Sequence, residues 1–295
     1  MPSSIPDLKL APAQSSKPVS IRFRLRYLYR LTASTLRYLL HTEVHTFAFS
    51  VAANAILSFF PFVLLLMSLV RRVFHSRAMY DVIVQLLRDY LPAGQDFVIR
   101  NLTAMSSVRN RAEVFSFVML LVTSTGVFMP LEVALNRVWR FPNNRSYLGN
   151  QLISLGLAFA CGILALISIS LSAGNAVLLR TLMFGHEFFL TRVLGFLTAK
   201  VFATITSMVI FFLIYWLLPN GKVPARAVLP TAVIMGLLSE ILKYSYIILL
   251  PRLNFQEVYG PFAISVSMMF WAFLSGLLLL TGAHLSAQKI FLRQE

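Results

Sequence analysis

Cysteine and acidic residues are scarce in this chain of 295 residues. It contains one cysteine, Cys161, and 11 aspartate and glutamate residues. A single thiol excludes a disulfide framework within the chain and a metal site built from cysteines. Because Cys161 lies inside an apolar run, we expect it to be a small packing residue.

Charged residues make up only 13% of the chain, whereas hydrophobic residues make up 58% and the mean hydropathy is +0.75. A water-soluble domain of this composition would expose large apolar patches. The sequence therefore predicts an all-α polytopic membrane protein with membrane lipids as partners. The net charge of +15 would indicate nucleic acid in a soluble protein. Here the arginines flank apolar spans and no basic groove with interleaved aromatics stands apart from them, so we expect no nucleic-acid partner.

The hydropathy pattern divides the chain into a tail, an interfacial helix and a membrane domain. Residues 1–20 are rich in Pro, Ser and Ala and are expected to be disordered. Residues 21–44 are predicted to form the interfacial helix, and residues 45–288 a membrane domain with six transmembrane helices. The predicted spans are about 45–70, 114–136, 150–174, 193–218, 226–250 and 259–285, with an amphipathic helical cap at 71–112 between the first two.

The predicted interfacial helix has one basic face. Its arginines recur at helical spacing, opposite leucine and isoleucine side chains; they are Arg22, Arg26, Arg30 and Arg37. Such a helix lies in the membrane interface and favours the cytoplasmic leaflet. The alternative is a solvated basic segment beside the first span.

Lysine and arginine are more frequent in the segments that would be cytoplasmic if the amino terminus is inside. This bias predicts a multi-pass protein of the bacterial inner membrane with both termini in the cytoplasm. The cap carries further arginines and weakens the rule, but long structured segments translocate with less regard to charge. The cap is also a candidate docking surface for an envelope protein partner.

One predicted span carries two charged residues near its middle. Glu240 and Lys243 are three residues apart and therefore share a helical face. Each ionised side chain at the centre of a spanning helix costs about 2.5–3.5 kcal/mol. We therefore expect this face to line a polar interior shared by several helices.

Other polar residues in the predicted spans are candidates for the same cavity: Asn54, Ser58, Glu132, Asn136, Lys200, Thr204 and Tyr259. Four of them have an alternative interpretation. The stripe containing Asn54 and Ser58 is also typical of hydrogen bonding between helices. Glu132 is also placed where a span would end, and Lys200 is close enough to an interface to extend its ammonium group towards water.

Four short stretches, in this order and spacing, resemble the YihY/BrkB family of bacterial inner-membrane proteins. They are residues 52–61 (AANAILSFFP), 134–139 (ALNRVW), 218–223 (LPNGKV) and 259–260 (YG). The resemblance extends over about residues 37–288. Asn54 departs from it, since an aromatic residue usually follows the alanines. The resemblance implies a protein associated with envelope integrity, resistance to serum killing and lipid handling, and some family members carry an old ribonuclease label.

The ribonuclease label can be compared with the residues present. Metal-dependent RNA hydrolysis needs clustered carboxylates or histidines that face water. The five histidines, His41, His45, His75, His186 and His284, do not form such a motif, although His41 and His45 share a helical face beside Glu43. No phosphate-binding glycine loop or Ser-His-Asp pattern occurs either. We therefore expect no enzymatic activity, no metal and no cofactor.

Two functional hypotheses follow from the sequence. In the first, the protein moves or flips a lipid or other amphiphile through a polar intramembrane cavity. In the second, it is a non-transporting scaffold for envelope integrity that recruits partners. A cavity that opens to lipid or water and reaches Glu240 and Lys243 would favour the first. A sealed and paired core would favour the second.

Overall fold

A computed structural model describes residues 21–90, 95–107, 111–141, 145–182 and 189–294. These residues are predominantly helical, and no strand occurs among them. The predicted all-α class is thereby confirmed. The predicted disordered tail at 1–20 and residues 91–94 of the predicted cap lie outside the described residues.

The helices follow one another in a simple order. The first four are α1 (Ile21–Leu39), α2 (Thr42–Leu69), α3 (Arg77–Tyr90) and α4 (Gln95–Ser107), with a π-helical turn (Val70–Phe74) after α2. The next four are α5 (Arg111–Val138), α6 (Tyr147–Leu182), α7 (Phe189–Leu217) and α8 (Ala225–Leu253). A short α9 (Phe255–Tyr259) and a 3₁₀ turn (Gly260–Phe262) lead into α10 (Ala263–Gln294).

Within the described residues, five segments are long and apolar enough to cross a membrane. They are Thr42–Phe74, Leu148–Gly174, Leu197–Leu217, Ala225–Leu253 and Phe255–Gln288. The polytopic membrane architecture is therefore confirmed. The remaining predicted span, 114–136, lies in α5, whose 28 residues extend about 42 Å and also suffice in length. Many side chains in the first half of α5 lie outside the description, and a sixth span stays a prediction.

Three predicted boundaries differ from the structure. The interfacial helix was expected to reach residue 44, but α1 ends at Leu39, and His41 is extended (φ −72°, ψ 130°) before α2 begins. The connection expected at 175–191 is helical up to Leu182 and again from Phe189. Tyr259 ends α9 and does not belong to the last long helix. In each case backbone hydrogen bonding sets the helix boundary, and this boundary does not have to coincide with the end of the apolar run.

One end of the bundle, called here the α1 end, gathers α1, the start of α2, and the ends of α5, α7 and α10. Several long-range contacts hold it together. Thr35 Oγ1 lies 3.3 Å from His284 Nδ1, and Gln288 Nε2 donates to Ser34 Oγ at 2.6 Å. The buried side chains here include Leu135, Tyr215 and Leu280.

The opposite end, called the cap end, is covered by α3 and α4. Met79, Ile83 and Leu87 of α3 and Val98 and Leu102 of α4 are buried against the end of α2, with further contacts from α6 and α10. The predicted cap is therefore a pair of amphipathic helices with its own apolar core. Its amphipathic pattern arises because one face packs and the other is exposed.

The α7–α8 interface depends on a close approach at Gly236. A Cβ atom there would collide with the Met208 side chain and would lie 3.1 Å from the Met208 backbone N and Cα. Small residues at such positions allow the backbones of membrane helices to approach. The contact fixes the antiparallel register of α7 and α8.

We predict that Gly236→Val destabilises the protein by about 1–3 kcal/mol, because the added atoms force α7 and α8 apart. The midpoint of thermal unfolding in detergent should fall by several degrees. Gly156→Val is the matched control, since a Cβ atom there meets nothing within 4 Å. Equal midpoints for the two variants would show that α7 and α8 do not need this close approach.

Candidate functional site

Two charged residues of α8, Glu240 and Lys243, lie near the middle of the helix. At a rise of about 1.5 Å per residue, Glu240 is about 22 Å from Ala225 and about 20 Å from Leu253. At these distances, neither end of α8 brings the pair close to the polar headgroup region. The two side chains must therefore be stabilised by each other and by neighbouring helices.

Glu240 and Lys243 form the ion pair that their spacing predicts. The Lys243 ammonium group donates to the Glu240 carboxylate. The Lys243 side chain is 2% exposed and that of Glu240 is 16% exposed. The cation is thus enclosed by protein, whereas the carboxylate reaches the edge of the enclosed region.

Helix α7 adds a second ammonium group to this pair. Lys200 Nζ lies 5.7 Å from the ring centroid of Tyr244, and Lys243 Nζ lies 4.8 Å from the same centroid. A cation near the face of an aromatic ring is attracted by the ring quadrupole, more strongly where water is excluded. Thr204 Oγ1 donates to the carbonyl oxygen of Lys200 at 2.8 Å. We call Lys200, Glu240, Lys243 and Tyr244 the α7–α8 cluster.

The α7–α8 cluster has a graded exposure. Lys243 is buried, Glu240 is at the edge and Tyr244 is 42% exposed. The α8 side chains beside it are apolar and exposed, including Leu237, Ile241 and Ile248. In a bilayer this surface faces acyl chains. The two ammonium groups and one carboxylate carry one formal positive charge in sum.

A second polar group lies at the α1 end. Glu132 and Asn136 are each 2% exposed, and Asn136 Nδ2 donates to Glu132 Oε1 at 3.4 Å. Asn136 Oδ1 accepts from the backbone N–H of Asn220 at 2.6 Å. Asn136 therefore joins the end of α5 to the turn between α7 and α8.

Arg145 reinforces the same turn. Its guanidinium donates to the carbonyl oxygens of Leu217, Leu218 and Pro219 at 3.4, 3.2 and 2.9 Å. These carbonyls follow the last turns of α7, where no later helical N–H is placed to pair with them. No local sequence pattern indicates this role of Arg145, because its partners are backbone atoms more than 70 residues away.

Asn54 and Ser58 form a third group. Asn54 Nδ2 donates to the Ser50 carbonyl oxygen at 2.9 Å, and Ser58 Oγ donates to that of Ala55 at 3.0 Å. The Asn54 side chain occupies the space that a Cβ atom on Gly126 of α5 would need. Both of these hydrogen bonds stay within α2, so the contact of Asn54 with α5 at Gly126 is a packing contact.

The residues predicted to line one cavity thus occupy different places. Lys200, Thr204, Glu240 and Lys243 lie together between α7 and α8. Tyr259 is exposed on α9, with its ring centroid 6.1 Å from that of Phe255. Tyr244 was not among the predicted residues, although it directly follows Lys243 and lies four residues after Glu240.

The basic residues of α1 are described in part. Arg30 and Arg37 are exposed, whereas the side chains of Arg22 and Arg26 lie outside the description. The opposite side of α1 packs, since Leu31 is buried and the Tyr38 ring stacks on His284 at 4.4 Å. Burial raises the pKa of Tyr38 to about 12, with Arg137 lowering the pKa and Glu43 raising it by smaller amounts. Tyr38 is therefore neutral at physiological pH.

Histidine, cysteine, aspartate and glutamate side chains are the candidate metal ligands. Among the residues that the structure describes, no three histidine, cysteine, aspartate or glutamate side chains form a group able to hold a metal ion. Glu43, next to His41 and His45 in sequence, is paired with Arg137.

We predict that Lys243→Ala destabilises the protein more than the double variant Glu240→Ala/Lys243→Ala. The single change leaves a carboxylate of low exposure without its cation, and removing one partner of such a pair costs up to about 3–5 kcal/mol. The thermal unfolding midpoint in detergent is the measurement, with Lys222→Ala at an exposed position as the control. If the single and double variants unfold at one temperature, the two residues are not coupled.

Comparison with known proteins adds the family. The model of a family described as "Virulence factor BrkB" matches residues 35–290. A UPF0761 membrane protein of Pseudoalteromonas translucida is 24% identical over 68% of this chain and 66% of its own length. One from Chlorobium limicola is 25% identical over 91% of this chain and 61% of its own length, and one from Yersinia pestis is 27% identical over 67% and 66%.

The chain spans about half to two thirds of the length of the curated relatives it matches. No solved structure matches it. The resemblance inferred from four short stretches is confirmed by the family match, which extends over most of the sequence. The chain is an integral membrane protein that belongs to the virulence factor BrkB family.

Proposed function

We propose that this protein moves a lipid or a similar amphiphile with an anionic headgroup across the bilayer, and that the α7–α8 cluster is where the headgroup passes. The observation that carries the proposal is the position of this cluster. It is charged, lies near the middle of a spanning helix and reaches the lipid-facing surface at Glu240 and Tyr244. Ionisable residues at this depth usually mark a pathway.

The charge of the cluster favours an anionic headgroup. Lys200 and Lys243 approach the same tyrosine ring, and Glu240 neutralises one of the two ammonium groups. A phosphate group approaching from the side would gain charge-assisted hydrogen bonds from the ammonium groups and would compete with Glu240 for them. Glu240 would thus hold the Lys243 ammonium group in position until a headgroup arrives.

The surface around the cluster suits an amphiphile. Exposed Leu237 and Ile241 flank the charged residues on α8, and exposed Leu197 and Val201 flank Lys200 on α7. Acyl chains could remain against these side chains while the headgroup entered between the helices. This geometry needs no aqueous channel through the centre of the bundle.

The orientation in the membrane belongs to the same proposal. The excess of lysine and arginine at the α1 end favours placing that end, with both termini, in the cytoplasm of a bacterial inner membrane. The cap end would then face the periplasm. The proposal assigns no catalytic residue, no cofactor and no nucleic-acid partner.

The alternative is a non-transporting scaffold for envelope integrity. One specific observation favours it, which is that Lys243 is almost fully buried and ion-paired, as a sealed core requires. In that case the charges would set the register of α8, and the exposed face of the cap would bind an envelope protein.

We predict that liposomes containing the purified protein scramble fluorescent phosphatidylglycerol faster than protein-free liposomes. Chemical quenching of the outer leaflet by dithionite measures the rate. Lys200→Gln should slow scrambling about tenfold, because it removes one charge-assisted contact with the headgroup. Lys200 is preferred over Lys243 for this test, because Lys243 is the more deeply buried member of the Glu240 ion pair and its replacement is expected to destabilise the fold.

Lys222→Gln is the matched control, because Lys222 is exposed in the turn between α7 and α8 and lies outside the cluster. Both variants should keep the thermal unfolding midpoint of the unaltered protein. Scrambling by the unaltered protein at the protein-free rate would reject transport and favour the scaffold. If Lys200→Gln and Lys222→Gln scramble lipid at equal rates, any transport does not depend on the α7–α8 cluster.

A further inference from the structure

A basic pocket lies at the cap end, where the first span meets the cap. Its volume is about 390 Å³, and it is lined by Arg71, His75, Ser76, Arg77, Tyr80 and Thr103. We propose that this pocket binds the phosphate-bearing headgroup of an anionic lipid in the leaflet at the cap end. This site is separate from the α7–α8 cluster and would exist even if the protein moved nothing.

The chain reversal after α2 forms the pocket. The π-helical turn Val70–Phe74 ends at His75, which adopts a left-handed conformation (φ 48°) that non-glycine residues seldom adopt. The chain then enters α3 after Ser76, whose Oγ accepts from the Met79 backbone N–H at 3.3 Å. This cap on α3 leaves Arg77 at the first position of the helix, and Arg71 and Arg77 both line the pocket.

The walls of the pocket are held by contacts between the elements. The Tyr80 hydroxyl lies 2.9 Å from Thr103 Oγ1, which joins α3 to α4. The Arg71 guanidinium carbon lies 5.9 Å from the centroid of the Tyr80 ring. His75 Nδ1 lies 3.2 Å from the Val73 carbonyl oxygen, which orients the imidazole ring. The Arg71 guanidinium and the His75 ring are thus held by contacts within the fold.

The chemistry of the lining points to phosphate. The six residues include two arginines, three hydroxyl groups and an imidazole, and no carboxylate. Guanidinium groups match phosphate oxygens with paired hydrogen bonds, and basic pockets at the ends of membrane helices bind lipid headgroups. Arg71 and Arg77 are both exposed, so that a ligand can reach them.

The surroundings favour a lipid over free phosphate. Leu69 is 37% exposed, Val73 64% and Phe74 47%, and these apolar side chains lie in the same turns as Arg71. The segment Thr42–Phe74 that can cross the membrane ends at this point. A headgroup in the pocket would therefore have acyl chains beside exposed apolar side chains, which inorganic phosphate cannot use.

The test is native mass spectrometry of the detergent-purified protein titrated with phosphatidylglycerol. Arg71→Gln/Arg77→Gln should weaken binding of the lipid at least about tenfold. Arg71→Lys/Arg77→Lys keeps the charges and should retain most of the affinity. Arg72→Gln/Arg100→Gln is the matched control, since it removes two exposed positive charges from the same region but none from the pocket.

Competition with inorganic phosphate and binding of phosphatidylcholine complete the experiment. Failure of excess inorganic phosphate to displace phosphatidylglycerol, together with weaker binding of phosphatidylcholine, supports the lipid headgroup. If stoichiometric inorganic phosphate displaces phosphatidylglycerol, the occupant is not a lipid but a soluble phosphate compound. Equal weakening in the Arg72/Arg100 control, or none in either double variant, would overturn the pocket itself. Unchanged thermal unfolding midpoints ensure that lost binding does not reflect lost folding, and scrambling rates test the α7–α8 cluster independently.

Discussion

The ion pair between Lys243 and Glu240 is the constraint on which the placement of α8 depends. A lysine that is 2% exposed near the centre of a spanning helix needs a partner and protection from lipid. Its own helix supplies the carboxylate, and the neighbours supply the protection. Helix α7 approaches at Gly236, and on α10 the Ser267 carbonyl oxygen accepts from the Tyr246 hydroxyl at 2.9 Å. Other α8 side chains, including Leu237, Ile241 and Ile248, are apolar and exposed, so the helix packs along one face.

The two ends of the bundle are stabilised by different interactions. At the α1 end, the buried side chain of Asn136 and the partly buried side chain of Arg145 bind backbone groups of residues 217–220. Two of the stretches that carry the family resemblance, 134–139 and 218–223, therefore meet in space. At the cap end, apolar side chains of α3 and α4 pack on α2, and the arginines of the turn stay exposed. The α1 end is thus joined by hydrogen bonds from side chains to backbone groups, whereas the cap end presents charge beside an apolar surface.

Local patterns were sufficient for part of the site and insufficient for the rest. The Glu240–Lys243 pair follows from a spacing of three residues on a single helix. To group Asn54, Glu132 and Tyr259 with this pair, one must know which helix faces which. The structure places these three residues elsewhere. Polarity identifies residues that need partners but does not name the partners. The Asn54 amide donates to its own helix and packs against Gly126, and Glu132 accepts from Asn136 four residues later.

Composition and periodicity determined the membrane class, the helical architecture and the presence of a charged helical face, because these depend on transfer free energies and on backbone geometry within one segment. Tertiary structure decided which polar residues meet. It brought Lys200 of α7 to Tyr244 of α8, joined α5 to the α7–α8 turn, and folded the end of α2 into a basic pocket. Contacts between residues distant in sequence depend on the packing of whole helices, and no local window of the chain contains that information.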